Sequence, residues 1–185
     1  MWYSNGSDTL KARRTEHFIR ASAQGKAPFF AHVALHTPHP PAAKPPARYA
    51  DGYSNLRVPH TRDYNEKDVS DKPYWIRTAP RVSPKGKEAA DKLYANRARS
   101  LLEVDDVMER LYTTLQETGE LDNTYIIFSS DNGFHFAEHR LQPPRKSTAY
   151  EPDIRIPLLV RGPGIAAGTH RSQMVSNKSS GCSID

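Results

Sequence analysis

Two polar strings, each following an apolar run, hold the residues in this sequence best suited to acid–base and cation chemistry. Leu35 is followed by His36 and, across Pro38, His39; Phe128 is followed by Ser129-Ser130-Asp131-Asn132-Gly133. Asp131 and Asn132 offer a carboxylate and an amide oxygen, the hard donors that calcium or magnesium takes, and Gly133 lets the backbone turn sharply after them. Two donors do not complete a site for a cation that takes roughly six or more oxygens, and the tripeptide by itself also reads as an ordinary turn. Beyond it lie His135, Glu138, His139, Arg145, Lys146, Tyr150, Glu151 and Arg155. A plain connection between two buried strands does not require that density of ionisable groups. The three-residue spacing of His36 and His39 lets one imidazole enter a cleft while the other braces the loop. Without an HExxH helix or a cysteine partner, they are poor zinc ligands.

The elements that would position these groups follow from periodicity. Asp8 to Ala23 is predicted helical, with Asp8 as its N-cap, Leu10, Phe18 and Ile19 as apolar anchors and Gly25 ending it. Pro28 to Leu35 and Tyr125 to Ser129 are short apolar, β-rich runs that read as buried strands, and Ile156 to Val160 is a third. Between Lys87 and Thr118, Ala90, Tyr94, Ala98, Leu101, Val104, Met108, Leu111 and Leu115 recur every three or four residues, a long helix stopped at Gly119. Residues 38–86 show no sustained periodicity and are expected to form a long irregular excursion, with Pro73-Tyr74-Trp75-Ile76 as a local anchor. Strand, long helix, strand is the grammar of an α/β fold, in which ligands gather beyond the carboxyl ends of the strands, so both polar strings are placed to face one crevice.

Composition narrows the partners. The 185 residues carry 26 Lys+Arg against 21 Asp+Glu, a net charge of +5, with 37% hydrophobic residues, 10 Gly and 15 Pro. Mean hydropathy is −0.73. The chain is loop-rich without being disordered. Basic residues are scattered among acids with no basic run, which argues against nucleic acid. No apolar run approaches the roughly 20 residues of a membrane helix, and Met1-Trp2-Tyr3-Ser4 begins no export signal. The single Cys182 excludes an internal disulfide framework.

PFFAHVALHTPHPP, SLLEVDDVMERL, TGELDNTYIIFSSDNGFHFAEHRL and KSTAYEPDIRIPLLVRGPGI occur in this order within residues 8–176. With these strings the chain resembles the C-terminal part of a sulfatase catalytic domain, of the alkaline-phosphatase-like superfamily. It is most similar to the N-acetylglucosamine-6-sulfatase group of arylsulfatase-type enzymes, and matches most loosely between Pro41 and Lys87. The resemblance implies a partial alkaline-phosphatase-like sandwich, α/β in class, with a mostly parallel sheet flanked by helices. It implies that Asp131 and Asn132 bind a divalent cation, usually calcium (Ca2+), and that Lys146 contacts the sulfate and the ester oxygen. His39 would help the leaving alcohol depart together with Lys146; His135 and His139 are weaker candidates for substrate contact. Glu151 and Arg155 would hold the Lys146 loop by an ion pair. A cation and a lysine can clamp charged sulfate oxygens, and an imidazole can deliver a proton near neutral pH.

The departures from the family pattern set further expectations. Sulfatases use a formylglycine made from a Cys/Ser-x-Pro-x-Arg motif, and the 185 residues contain no such string; nor do they contain the paired aspartates that complete the metal site. After Asn177 the family continues differently, so residues 1–177 are expected to be a partial catalytic domain and 178–185 an aberrant tail. The expectation is half an active site, acting on the sulfate ester of a sulfated sugar only when the missing nucleophile is supplied. A metal-independent anion-binding protein using His39, Lys146 and Arg155, a phosphodiesterase of the same superfamily, and a non-functional truncated product are the alternatives. The family is commonly secreted, periplasmic or lysosomal.

Overall fold

Helix α1 (Ser7–Ser22) carries Ala12 and Ile19 on its buried side. In the computed structural model, which describes residues 7–39 and 45–176, that side lies on the long helix of the chain. Glu16 clamps the pair by accepting two bonds from the Arg110 guanidinium at 2.6 and 2.8 Å, and Arg20 meets Glu117 one turn further on. This bidentate geometry holds the carboxyl of Glu16 below its ordinary range. Ile19, Leu115 and Leu121 form the core between the helices, with Phe29, Leu111 and Ile126 against them.

Asp8 is not a cap. It lies inside α1, 3% exposed, and its carboxylate accepts the backbone N–H groups of His36 at 2.9 Å and Thr37 at 2.9 Å and the ammonium of Lys11 at 2.9 Å. Burial pushes this carboxyl up, but the His36 and Thr37 amides, Lys11 and the Thr37 hydroxyl outweigh it, so it titrates below its ordinary 3.8. The stabilisation it gives is therefore present above pH 3.8 and lost as pH falls through the lowered value. Asp8→Ala should cost about 2 to 4 kcal/mol at pH 7, because it strands two amides. Urea unfolding between pH 6 and pH 2 should show wild type and variant converging at the acid end; a constant gap would refute this assignment.

The expected strand at Pro28–Leu35 is not formed. The segment takes no regular secondary structure, no neighbour ladders with it among the described residues, and the amides that follow it go to Asp8.

The excursion is better anchored than its sequence suggests. A 3-10 turn at Ala47–Tyr49 docks on the long helix, where Arg48 and Tyr49 both reach Asp106. Val58 packs with Ala90 and Phe136. Buried Asn65 exchanges hydrogen bonds with the backbone of Val82, accepting at 2.8 Å and donating at 3.2 Å. The short helix α2 (Tyr74–Arg77) inserts Ile76, 1% exposed, beside Val69 and Leu141, as the Pro73–Ile76 anchor anticipated.

Helix α3 (Pro84–Glu117) starts at Ser83, whose hydroxyl accepts from Gly86 N at 3.1 Å, with proline in its first turn. It ends in a Schellman motif: Gly119 at φ +76° donates to Gln116 O at 3.1 Å and Glu120 to Leu115 O at 2.9 Å. Its buried face takes in Ala95, Ser100, Glu103, Val107 and Thr114 as well as Ala90, Val104 and Leu115, while Leu101 is exposed. Ser100 and Thr114 can be buried because their hydroxyls bond back to Arg97 O and Arg110 O.

Strand β1 (Ile126–Ser129), the short helix α4 (Glu151–Ile154) and strand β2 (Leu158–Arg161) complete the order. The strands pair antiparallel, Ile126 opposite Arg161 and Ser129 opposite Leu158, and they form the one sheet among the described residues. The tail at 178–185, with Cys182, lies outside those residues.

Candidate active site

The carboxyl end of β1 delivers Asp131-Asn132-Gly133 directly against α4. Gly133 N donates to Asp153 O at 2.8 Å and Phe134 N to Pro152 O at 2.6 Å. A Cβ on Gly133 would stand 2.0 Å from Pro152 O, so the glycine is needed for this close approach; its φ is not positive, and the turn itself does not demand it. Further along, His135 and Arg145 exchange backbone hydrogen bonds at 2.8 and 3.1 Å. That bridge folds residues 136–144 back as a loop and returns the chain to Lys146.

Lys146 thereby arrives beside Asn132, its Nζ donating to Asn132 Oδ1 at 2.9 Å. The Asn132 amide is held the right way round because its Nδ2 donates to Gly133 O at 2.7 Å. Asp131, Asn132, Lys146, Ser147, Thr148 and Asp153 are among the residues lining a cleft of about 450 Å³. It holds an exposed carboxylate, an amide, an ammonium and a hydroxyl, a set suited to a polyoxygen anion.

The three histidines are placed differently. His135 is 2% exposed, its Nδ1 shared between the Asp153 oxygens at 2.9 and 3.0 Å, and it does not line the cleft. His139, at φ +51°, packs its ring at a tilt against Tyr150 and meets Glu66 through Nδ1 at 2.8 Å, with Asp63 Oδ2 3.6 Å from Nε2. It ties the excursion to this loop. His39 lies in the turn beyond Leu35, its ring 5.5 Å from that of His36, and neither histidine lines the cleft, so the expectation that both polar strings face it is not met there. Arg97 of α3 connects that turn to the β1 side: its guanidinium donates to Pro38 O at 3.0 Å and sits 4.0 Å from the Phe134 ring. Burial lowers the pKa of this guanidinium.

The Glu151–Arg155 ion pair expected to hold the Lys146 loop is not made among the described residues. Both side chains are exposed, where a pair would gain little, and the two residues meet only through the backbone, Arg155 N to Glu151 O at 2.9 Å. The carboxylate that reaches the loop is that of Asp153, which accepts from Thr148 N at 2.8 Å and Thr148 Oγ1 at 2.7 Å. Nothing in Glu151-Pro152-Asp153-Ile154 distinguishes Asp153 from a surface acid. Arg97 was equally silent, one of several arginines on a long amphipathic helix.

A calcium site is not completed by these residues. Asp131 and Asn132 bring two oxygens, Asn132 Oδ1 already takes the Lys146 ammonium, and no cluster of three or more His, Cys, Asp or Glu able to hold a metal occurs among the described residues.

Known proteins converge on one group. A family model described as Sulfatase matches residues 2–181. An arylsulfatase of Volvox carteri is 36% identical over 201 residues, covering 97% of this chain and 30% of the relative. Human N-acetylglucosamine-6-sulfatase is 38% identical over 151 residues, covering 81% of this chain and 27% of the relative. The chain thus spans under a third of the length of these relatives. A Bacteroides fragilis crystal structure described as a sulfatase superposes with a TM-score of 0.65 at 23% identity, covering 84% of this chain and 31% of that one. That likeness is one of fold, the alkaline-phosphatase-like α/β kind.

Proposed function

Because the chain belongs to the sulfatase family, we propose that its cleft handles the sulfate group during hydrolysis of a sulfate ester. The single observation that carries this is the convergence of Lys146 on Asn132 beside Asp131. A sulfate monoester presents anionic oxygens, and charge builds on the ester oxygen as the S–O bond breaks. An ammonium fixed in a half-buried cleft neutralises that charge without reorganising. His39 is proposed to supply the proton to the departing alcohol, joined to this side by Arg97. His135 and His139, weaker candidates for substrate contact, are proposed as supporting residues, because their Nδ1 atoms are engaged by Asp153 and by Glu66. No step is assigned to calcium.

A sulfated sugar is the proposed substrate class, supported by the relatives named as N-acetylglucosamine-6-sulfatases. A mostly parallel sheet also belongs to the proposal. Phe30 at 85%, Leu159 at 64% and Ile127 at 53% exposure are apolar surface on strand-like segments, of the kind a larger sheet covers. The nucleophile must come from outside these 185 residues, which hold no Cys/Ser-x-Pro-x-Arg string.

The test is calorimetric titration of the 185-residue chain with inorganic sulfate, with and without a chelator, followed by turnover assays on an aryl sulfate and on glucosamine-6-sulfate. Expected are saturable sulfate binding, no turnover by the chain alone, and turnover once a relative's segment bearing Cys-x-Pro-x-Arg is supplied. Absence of sulfate binding, or turnover by the chain alone, would overturn the proposal. Binding that survives chelation supports Lys146 rather than a metal as the anchoring charge.

A further inference from the structure

Asp153 is 3% exposed, and its carboxylate has no lysine or arginine partner among the described residues. A buried carboxylate is tolerated only when donors satisfy it. Here the donors come from the two loops that build the cleft. His135, three residues past Asn132, approaches through Nδ1 at 2.9 and 3.0 Å; Thr148, two residues past Lys146, donates its amide at 2.8 Å and its hydroxyl at 2.7 Å. The backbone carbonyl of the same residue takes Gly133 N at 2.8 Å. Satisfying one buried residue therefore fixes both loops in one register.

Between Lys146 and Thr148 the chain passes through Ser147 at φ +96°. A side chain there costs on the order of 1 to 3 kcal/mol and persists only where the surroundings over-determine it. The paired Thr148 bonds to Asp153 supply that determination on one side, and the Arg145 bridge to His135 supplies it on the other.

We propose that Asp153 is the positioning residue of the sulfate-handling pair: from the buried wall of the cleft it sets Lys146 against Asn132 through Thr148 and Gly133. This presupposes the sulfate-handling role proposed above, and the test separates the two. In the full 185-residue chain, Thr148→Val removes the hydroxyl that donates to Asp153 and accepts from Tyr150 N at 3.4 Å, and Thr148→Ser restores it; Asp153→Asn perturbs the acceptor. The first readout, taken without sulfate, is the NMR signal of the Asn132 side-chain amide, calibrated by the change that Lys146→Ala produces. The second is the affinity for inorganic sulfate by calorimetry.

Thr148→Val should reproduce the Lys146→Ala change at Asn132 while amide signals of α1 and α3 stay in place, and should weaken sulfate binding about tenfold; Thr148→Ser should stay within about twofold of wild type. If Asp153→Asn fails to fold, the threonine pair still decides. An unchanged Asn132 signal in a folded Thr148→Val chain, or serine behaving like valine, would overturn the proposal. If the Asn132 signal moves as expected but wild type binds no sulfate, the positioning role stands and the sulfate role falls. If sulfate binds through Lys146 and Thr148→Val leaves both readouts untouched, the positioning role falls alone.

Discussion

Lys146→Ala should lower kcat/KM on an aryl sulfate by about 10³-fold once the chain is complemented with a formylglycine-bearing segment, the scale for removing a preorganised donor to a developing oxyanion. The loss should fall mainly on kcat, because an ammonium aimed at the leaving oxygen meets more charge in the transition state than in the ground state. Lys146 is half-buried and held by Asn132 Oδ1, so alanine removes the charge from a place that water fills poorly. Lys146→Arg should recover only part of the activity, since the planar guanidinium cannot repeat the single directed bond to Asn132 while also facing a sulfate. Steady-state kinetics of the three proteins decide. An alanine variant within about threefold of wild type would remove Lys146 from the chemistry.

Gly133→Ala should be the most destabilising single methyl addition at this site. Its Cβ would stand 2.0 Å from Pro152 O, 2.9 Å from Pro152 C and 3.2 Å from Arg155 O, all backbone atoms that no rotamer change can move. Restoring ordinary contact would separate β1 from α4 and break the Gly133–Asp153 and Phe134–Pro152 hydrogen bonds, at a cost of about 3 kcal/mol or more. Gly119→Ala is the control. Nothing lies within 4 Å of its Cβ, and its penalty is the positive φ of +76° alone, about 1 kcal/mol. Urea denaturation should therefore rank Gly133→Ala well below Gly119→Ala. The opposite order would mean that the β1–α4 approach is looser than it stands here.

The α3 helix was legible because its apolar spacing persists over many turns, and its C-terminal stop because Gly119 has one conformational reason to be there. Which face was buried was less legible. Ser100 and Thr114 enter the core because they bond their own helix, a compensation that periodicity does not weigh. Pro28–Leu35 was apolar enough to read as a strand, but a strand needs a partner, and Asp8 claims the amides that follow it. Asp131, Asn132 and Lys146 could be picked out as cleft residues from their types and the family strings, and these three share one cleft. Asp153 could not, because its importance comes from burial and from four hydrogen-bonding approaches, neither of which is written in its neighbours.

The packing of α1 on α3 carries a consequence for how the chain is made. These two helices are partners, yet roughly 60 residues separate the end of one from the start of the other, a loop whose closure costs about 3.6 kcal/mol of chain entropy. Synthesis runs at about 5 to 20 residues per second, so α1 waits some 5 to 20 seconds after its own completion before the whole of α3 exists to receive it. Throughout that interval Ile19, which ends 3% exposed, has no α3 to cover it. The docking of α1 therefore waits on the late-made helix, however early α1 itself forms.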